Sequence, residues 1–302
     1  MAVLIAVAGG TPTEPLDAID SLPTLPVVAL QIGEIVHGKS ATVQQVADLL
    51  RGDPATSAKL LRLVNSPYFG IPGGVSDVAR AIPFVGFNTL YQIVLSISVL
   101  DVLRIGSGAG HDPRALWVHA LTVATAARAL AEEIRFADPG ACFTAGLLHD
   151  MGEIALAKLV PDQVAAAFET MRTDGVTIDV AERRHGLPPH DRVGSRLARR
   201  WKFPASLATP IEYHHAIHRP EVRERLTGPL RTITEIVAAA DHLSLACHAT
   251  QGSFDPFGED GEREAGELFA RNGLSLTQHD ALCDRIRAGL DRSKLFLSLV
   301  SG

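Results

Sequence analysis

Residues 144–156 read TAGLLHDMGEIAL. The run is apolar and rich in Ala, Leu and Ile, as suits a helix packed among other helices. His149 and Asp150 interrupt it, side by side. Two groups that are costly to bury indicate either a metal ion or a hydrogen-bonded pair at a helix end, and the rest of the chain must decide between them.

The wider composition agrees with helices. Of 302 residues, 46% are hydrophobic but only 5% aromatic, which favours packed helices over sheet and an all-α class. With 28 Lys and Arg against 34 Asp and Glu, the formal charge is -6, which argues against a general nucleic-acid binder or a polybasic membrane anchor. The opening MAVLIAVAGG is too short to span a bilayer and has no positive leader region, so no membrane segment is expected there. Cys142, Cys247 and Cys283 are widely spaced, with no CxxC pair, so no disulfide framework or thiolate zinc site is expected, and a reducing cytoplasm fits.

Proline and glycine divide the chain. Four prolines in residues 11–26 mark an extended lead-in, with packed structure expected from about Leu25. Three short helical segments follow, VVALQIGEIVHG, ATVQQVADLLRG and DPATSAKLLRLVNS, the last with Asp53 as N-cap and Pro54 at the first helical position. After several Pro and Gly breaks, Leu90 to Leu100 forms a long apolar run, expected as a buried helix between two lobes, and RIGSGAGHDP then marks the boundary. The expected organisation is a tail over 1–21, a first helical lobe over 22–105, a second over 106–250, and a loop with a C-terminal helix over 251–302. In that last helix, Leu282, Ile286, Leu290 and Leu295 lie roughly in register, and Thr277 to Asp280 read as its start.

In the second lobe Leu116, Ala120, Val123, Ala127 and Leu130 recur at heptad-like intervals, with His119 on the edge of that stripe. Beyond His149 and Asp150 come His190, the pair His214 and His215, and Asp241, which closes the apolar run IVAAA. A carboxylate there is costly unless it is paired or bound to a cation. Five imidazoles and two carboxylates on successive helices suit a divalent ion such as iron, manganese or zinc, without thiolates, at one centre or two. His185, His218, His242, His248 and His279 show that the chain uses histidine freely, so not every one of the seven need be a ligand, and His218 reads as a decoy or a substitute ligand.

The order His119, His149-Asp150, His190, His214-His215, Asp241 resembles the ligand pattern of the HD superfamily of metal-dependent phosphohydrolases, including its HD-GYP branch. The first lobe is more specific. SLPTLPVVALQIGEIV, LLRGDPATSAKLLRLVNSPYFG and ARAIPFVGFNTLYQIVLSISV are similar to the signature of HDOD domains, HD-related output domains of bacterial signalling proteins. With LWVHALTVATAARALA and AGLLHDMGEIAL, the resemblance runs from Leu22 to His248. It implies an N-terminal helical bundle packed against an HD-like helical bundle, and a regulatory or scaffolding module that has lost phosphohydrolase activity.

The departures from the hydrolase pattern support that expectation. Where HD-GYP enzymes carry a phosphate-binding Lys three residues after the His-Asp pair, this chain has Glu153. A carboxylate there repels an anionic substrate and cannot stabilise a phosphoryl transition state. Ala115 stands where that branch often supplies a Glu ligand, and HHAIHRP lacks the Asp-Gly and Gly-Tyr-Pro elements that follow its paired histidines. The alternative, a hydrolase acting on a nucleotide or cyclic dinucleotide with Asp150 in the catalytic centre, would need phosphate contacts from Arg183, Arg184, Arg196, Arg199 or Arg200. The last three, in RLARRWK, read more simply as one solvated helix face than as a nucleic-acid site. No receiver, kinase or cyclase motif is present, so the expected partner is a signalling protein acting in trans.

Overall fold

The computed structural model of the chain describes residues 18–38, 40–104 and 113–249, with 266, 267, 269–271, 273 and 281–290. The described residues form helices and no strand. The first lobe comprises α1 (Val27–His37), α2 (Val43–Arg51), α3 (Pro54–Val64) and α4 (Val78–Val102). The cap read from the sequence is present, Asp53 accepting a hydrogen bond from the Thr56 N–H ahead of Pro54, and a further one, a capping box of Thr42 with Gln45, was not read there. In α4, Pro83 is followed by Gly86 at φ 78°, ψ 164°, a conformation open to glycine that kinks the helix. Beyond the kink, every residue from Leu90 to Leu100 is buried. By length and composition alone α4 could cross a membrane, but its apolar surface here is the inter-lobe core.

The second lobe is built from α5 (Pro113–Glu133), α6 (Pro139–Leu148), α7 (Met151–Leu159), α8 (Pro161–Asp174), α9 (Ile178–Arg184), α10 (His190–Arg200), α11 (Ala205–Tyr213), α12 (Pro220–Arg225) and α13 (Gly228–Ala249). Helix α5 lies against α6 and α13, α10 joins α7 to α11, and α4 meets α6 across the lobes. One continuous hydrophobic core runs through both lobes. A further helix, α14 (281–290), buries Leu282 and Ile286 and ties Arg285 to Glu132 and Glu133 of α5. Leu295, Thr277 to Asp280 and the Gly-rich boundary lie outside the described residues.

Three expectations need correction. Packed structure begins before Leu25: Ile19 opens a 3-10 turn (Ile19–Ser21), and Ile19, Leu22 and Leu25 are all buried. The intervening prolines hide this apolar spacing. Second, the run around His149 and Asp150 is not one helix. Helix α6 ends at Leu148 and α7 begins at Met151, so the pair occupies the joint and its two side chains are freed from the angular offset of a continuous helix. Third, Cys142 is buried and free but Cys283 is disulfide-bonded, because spacing along a chain does not reveal proximity in the fold.

The joint is held by a backbone contact. A Cβ on Gly152 would lie 1.9 Å from the His190 carbonyl oxygen and 2.5 Å from the Gly194 nitrogen. Only glycine therefore lets α7 meet the start of α10, which brings His190 to Asp150. Gly152→Ala is expected to destabilise the protein by about 3 kcal/mol and lower its unfolding midpoint by roughly 6–12 °C. Thermal unfolding followed by circular dichroism checks this, and an unchanged midpoint would contradict the contact.

Candidate metal centre

All seven sequence-predicted ligands converge. Each comes from a helix end or an inward helical face: His119 from α5, His149 and Asp150 from the α6–α7 joint, His190 from the first residue of α10, His214 and His215 from just beyond α11, and Asp241 from α13. Asp150 is the shared member of two groups. Its carboxylate with His119 and His149, and again with His190, His214 and His215, sets ligand atoms within 4.8 Å of one another. Asp241 closes the first group, its Oδ1 lying 3.2 Å from His119 Nε2 and 3.8 Å from His149 Nε2. Asp150 Oδ1 lies 3.3 Å from His214 Nε2 and 3.6 Å from His190 Nε2, while Oδ2 lies 3.0 Å from His149 Nε2 and 3.3 Å from His119 Nε2.

The fit to divalent metal rests on which nitrogen each ring presents. His149 Nδ1 lies 2.8 Å from the Gly146 carbonyl, and His214 Nδ1 lies 3.0 Å from the Pro210 carbonyl. A carbonyl only accepts, so each Nδ1 carries the proton and Nε2 of the neutral ring turns its lone pair into the cluster. His190 Nδ1 donates to Glu182 Oε1 at 2.9 Å, the carboxylate–histidine arrangement that orients a ligating ring. His149 Nε2, His214 Nε2 and Asp150 Oδ1 are all buried with no hydrogen-bond partner, despite the close approaches above, which lack hydrogen-bond alignment. His190 Nε2 and His215 Nε2 stand 2.9 Å apart, about the separation of two nitrogens at right angles around one ion with ~2.1 Å bonds. These orphaned atoms fit cation ligation at two adjacent positions.

Without an ion, protons provide the positive charge. Burial alone would lower the His149 pKa, but the Asp150 and Asp241 carboxylates outweigh it and raise it to about 9. His119 and His190 are also raised well above the usual range despite burial, His119 by Asp150 and Asp241, His190 by Glu182, Asp150 and Glu153. Burial would raise Asp150 and Asp241, yet the facing histidines hold both well below the usual carboxylate range. His215 is lowered by burial and by His214 and His190.

Beside the cluster opens a cavity of about 620 Å³. Leu116, Phe168, Met171, Ile178 and Ile217 supply apolar surface, and Ala115 lies at its lining one turn from His119, where no carboxylate completes the ligand set. Glu153 also lines it, 7% exposed, its carboxyl pushed up to about 8 by burial and then by the Asp150 charge. This corrects the reading of Glu153 as a carboxylate: in the ion-free protein it is largely a neutral acid near pH 7, and it still offers no positive charge.

The proposed phosphate contacts are elsewhere. Arg196 pairs with Asp20 at 2.6 Å, Arg200 donates to the Ile19 carbonyl at 2.8 Å, and Arg199 pairs with Glu212 at 3.2 Å, so these three arginines of α10 serve the N-terminal segment and α11. Arg184 is paired with Asp174, and Arg183 lines the cavity but is paired with Asp179. Sequence reasoning missed Arg192 and Arg219, which do line it, and missed Glu182 altogether. Eight residues before His190 in a charged stretch, Glu182 gives no periodic signal. His218 and His242 line the cavity but belong to neither ligand group, and His185 instead meets Thr170 at 2.8 Å.

A helical protein whose ligand-bearing joint pairs adjacent His and Asp, with histidines converging from successive helices, defines the HD class. Within that class the HDOD domain family model matches residues 22–217, and the chain belongs to the HDOD family. An HDOD domain protein of unknown function from Geobacter sulfurreducens shares 25% identity at a TM-score of 0.68, covering 92% of this chain and 97% of that one. A protein from Shewanella amazonensis SB2B whose name proposes a phosphohydrolase has TM-score 0.68 at 22% identity, with coverage of 95% and 99%. A Marinobacter aquaeolei VT8 protein whose name proposes a role in signal transduction has TM-score 0.73 at 19%, with coverage of 98% and 63%. An uncharacterised protein of Treponema pallidum is 28% identical over 210 residues, 68% of this chain but only 40% of its own length.

The titrations set a pH signature. Because the folded His149 pKa is raised to about 9, its contribution to stability is fully present below the unfolded value near 6.5 and is lost as pH rises through about 9. The lowered Asp150 and Asp241 act oppositely, their contribution being lost only in strong acid. Metal-free protein should therefore lose thermal stability between about pH 6.5 and pH 9, and manganese-loaded protein, whose ligating imidazoles are already neutral, should lose less. Parallel melting curves across that range check this, and equal losses would contradict it.

Proposed function

We propose that this chain is a regulatory HDOD module of a bacterial signalling system that retains an HD-type divalent metal centre without phosphohydrolase turnover. It works in the cytoplasm and acts on a signalling protein bound in trans. The observation that carries this reading is Glu153. It occupies the cavity beside the ligand cluster, at the position where the resemblance places a phosphate-binding Lys in active enzymes, and it is buried near Asp150. Ionised, it repels a phosphoryl group; protonated, it can donate one hydrogen bond but brings no positive charge to match the Lys it stands for.

His119, His149, Asp150 and Asp241 would hold one ion, and Asp150 with His190, His214 and His215 a second, with iron, manganese or zinc suited to the donors. Bound divalent ions supply Lewis acidity and activate coordinated water. The chain's own residues fix three rings through Gly146, Pro210 and Glu182 and line the cavity with acids as well as apolar groups. In this reading the centre ties five helices into one recognition surface. Proteins of this fold carry names of both kinds, phosphohydrolase and signal transduction, so the choice rests on residues.

A second reading, hydrolysis of a nucleotide or cyclic dinucleotide, is favoured by Arg192 and Arg219, whose guanidinium groups are unpaired among the described residues and line the same cavity. Elemental analysis of protein purified without chelators or nickel resin, followed by turnover assays on cyclic dinucleotides, nucleotides and a generic phosphodiester with added manganese or iron, separates the two. We expect stoichiometric divalent metal that Asp150→Ala loses, and no turnover. Reproducible metal-dependent turnover abolished by Asp150→Ala would establish hydrolysis instead.

A further inference from the structure

Glu182 sits on α9, a helix that carries none of the seven ligands, and yet it holds one of their rings. It is 2% exposed. A carboxylate buried this deeply needs full compensation, and both of its oxygens find partners on a single residue. Oε1 accepts from His190 Nδ1 at 2.9 Å, and Oε2 accepts from the His190 backbone N–H at 3.3 Å. The second contact falls on the first residue of α10, where Pro189 at the N-cap offers no side-chain cap. Negative charge there also suits the positive end of the helix dipole. One side chain thus caps α10 from a neighbouring helix and fixes the ring of the ligand with which α10 opens.

The apolar support of the hairpin that supplies this acid is thin. Helix α9 buries only Ala181 and Glu182 of its seven residues, and α8 buries only Val164 and Ala167 of its fourteen. Phe168, Met171 and Val176 are partly buried against the core. Helix α9 packs mainly on α8, and α8 on α7. The pairs of Arg183 with Asp179 and of Arg184 with Asp174 are exposed and contribute little. Segments with so few buried apolar contacts belong to the low-stability end of a fold. This hairpin nevertheless supplies one wall of the cavity beside the cluster, through Phe168, Met171, Ile178 and Arg183. The Glu182–His190 contact is its buried polar link to the ligands.

His190 belongs to one ligand group, with Asp150, His214 and His215, and is absent from the other. A carboxylate that holds a ligating ring strengthens binding at that ring's ion and not elsewhere. Coupling of this kind is reciprocal, so an ion that fixes the ring also fixes whatever holds it. Resting on the metal reading above, we propose that Glu182 is a positioning residue for the ion at His190 alone, and that this ion, acting through Glu182, orders the α8–α9 wall of the cavity. The state of one metal position is thereby passed to two helices whose outer faces are exposed.

Cobalt(II) titrated into the metal-free full chain serves as the probe, its d–d absorption following each position as it fills. The parent should take up two ions, told apart by His119→Ala, which removes a ligand of the other position only. In Glu182→Ala the ion at His190 should bind about 10- to 100-fold more weakly, while the ion at His119 keeps its affinity. Glu182→Gln, which retains one acceptor without the charge, should fall between the two. Amide hydrogen exchange over residues 178–184 of the parent should slow as the His190 position fills, and in Glu182→Ala it should stay fast at saturating cobalt. The inference is overturned if Glu182→Ala binds both ions as the parent does, if it loses both in equal proportion, or if exchange over 178–184 in the parent ignores the ion. Should Glu182→Ala not fold, Glu182→Gln decides in its place, and parent-like binding of both ions by that variant is the overturning result. A parent that takes up fewer than two cobalt ions overturns the metal reading itself, and this inference with it.

Discussion

Asp150 is a buried carboxylate approached by four imidazole nitrogens within 3.6 Å, and the second lobe is organised around keeping it tolerable. An ionised acid in such a place must be compensated in full, since an unpartnered one costs several kcal/mol. The compensation comes from α5, the α6–α7 joint, α10 and the end of α11, which fixes their order and their mutual approach. It explains why α6 and α7 break at His149 and Asp150, why α10 starts at His190, and why α7 carries glycine where it meets α10. Protons raised onto His119, His149 and His190 play the part of cations when no ion is bound.

Much of this was legible in the sequence because its carriers are local. The cap of Asp53 with Pro54 acts within one turn, and the Leu90 to Leu100 run announces its burial through unbroken apolarity. The cluster of seven candidate ligands was readable because His and Asp gain nothing from burial in apolar helices unless a partner compensates them. What stayed hidden was long-range. Glu182 looks like any surface acid until the fold sets it against His190, and Arg196 and Arg200 look like a solvated stripe until Asp20 and Ile19 reach them. The protonation of Glu153 was illegible for the same reason, since it depends on burial and on Asp150 rather than on its neighbours in the chain.

Under the proposed function, holding a metal and using one would be separate properties of this lobe. The rings are aimed by groups outside the cluster, the Gly146 and Pro210 carbonyls and Glu182, and of these only Glu182 also lines the adjoining cavity. Lining residues beyond Glu182 and the ligand groups aim none of these three rings. Glu153 is such a residue, and its presence changes what the cavity can recognise while leaving the ligand geometry in place.

The ligands are far apart along the chain, from His119 to Asp241, and they meet at one point. An ion there would be a cross-link closing several long loops at once. Closing a long loop removes conformational freedom chiefly from the unfolded chain, and each further doubling of loop length adds only about 0.6 kcal/mol. By mass action, binding that is confined to the folded form also raises its stability with the free-metal concentration. The persistence of this lobe would then follow the metal supply of its surroundings, independently of any signal it carries.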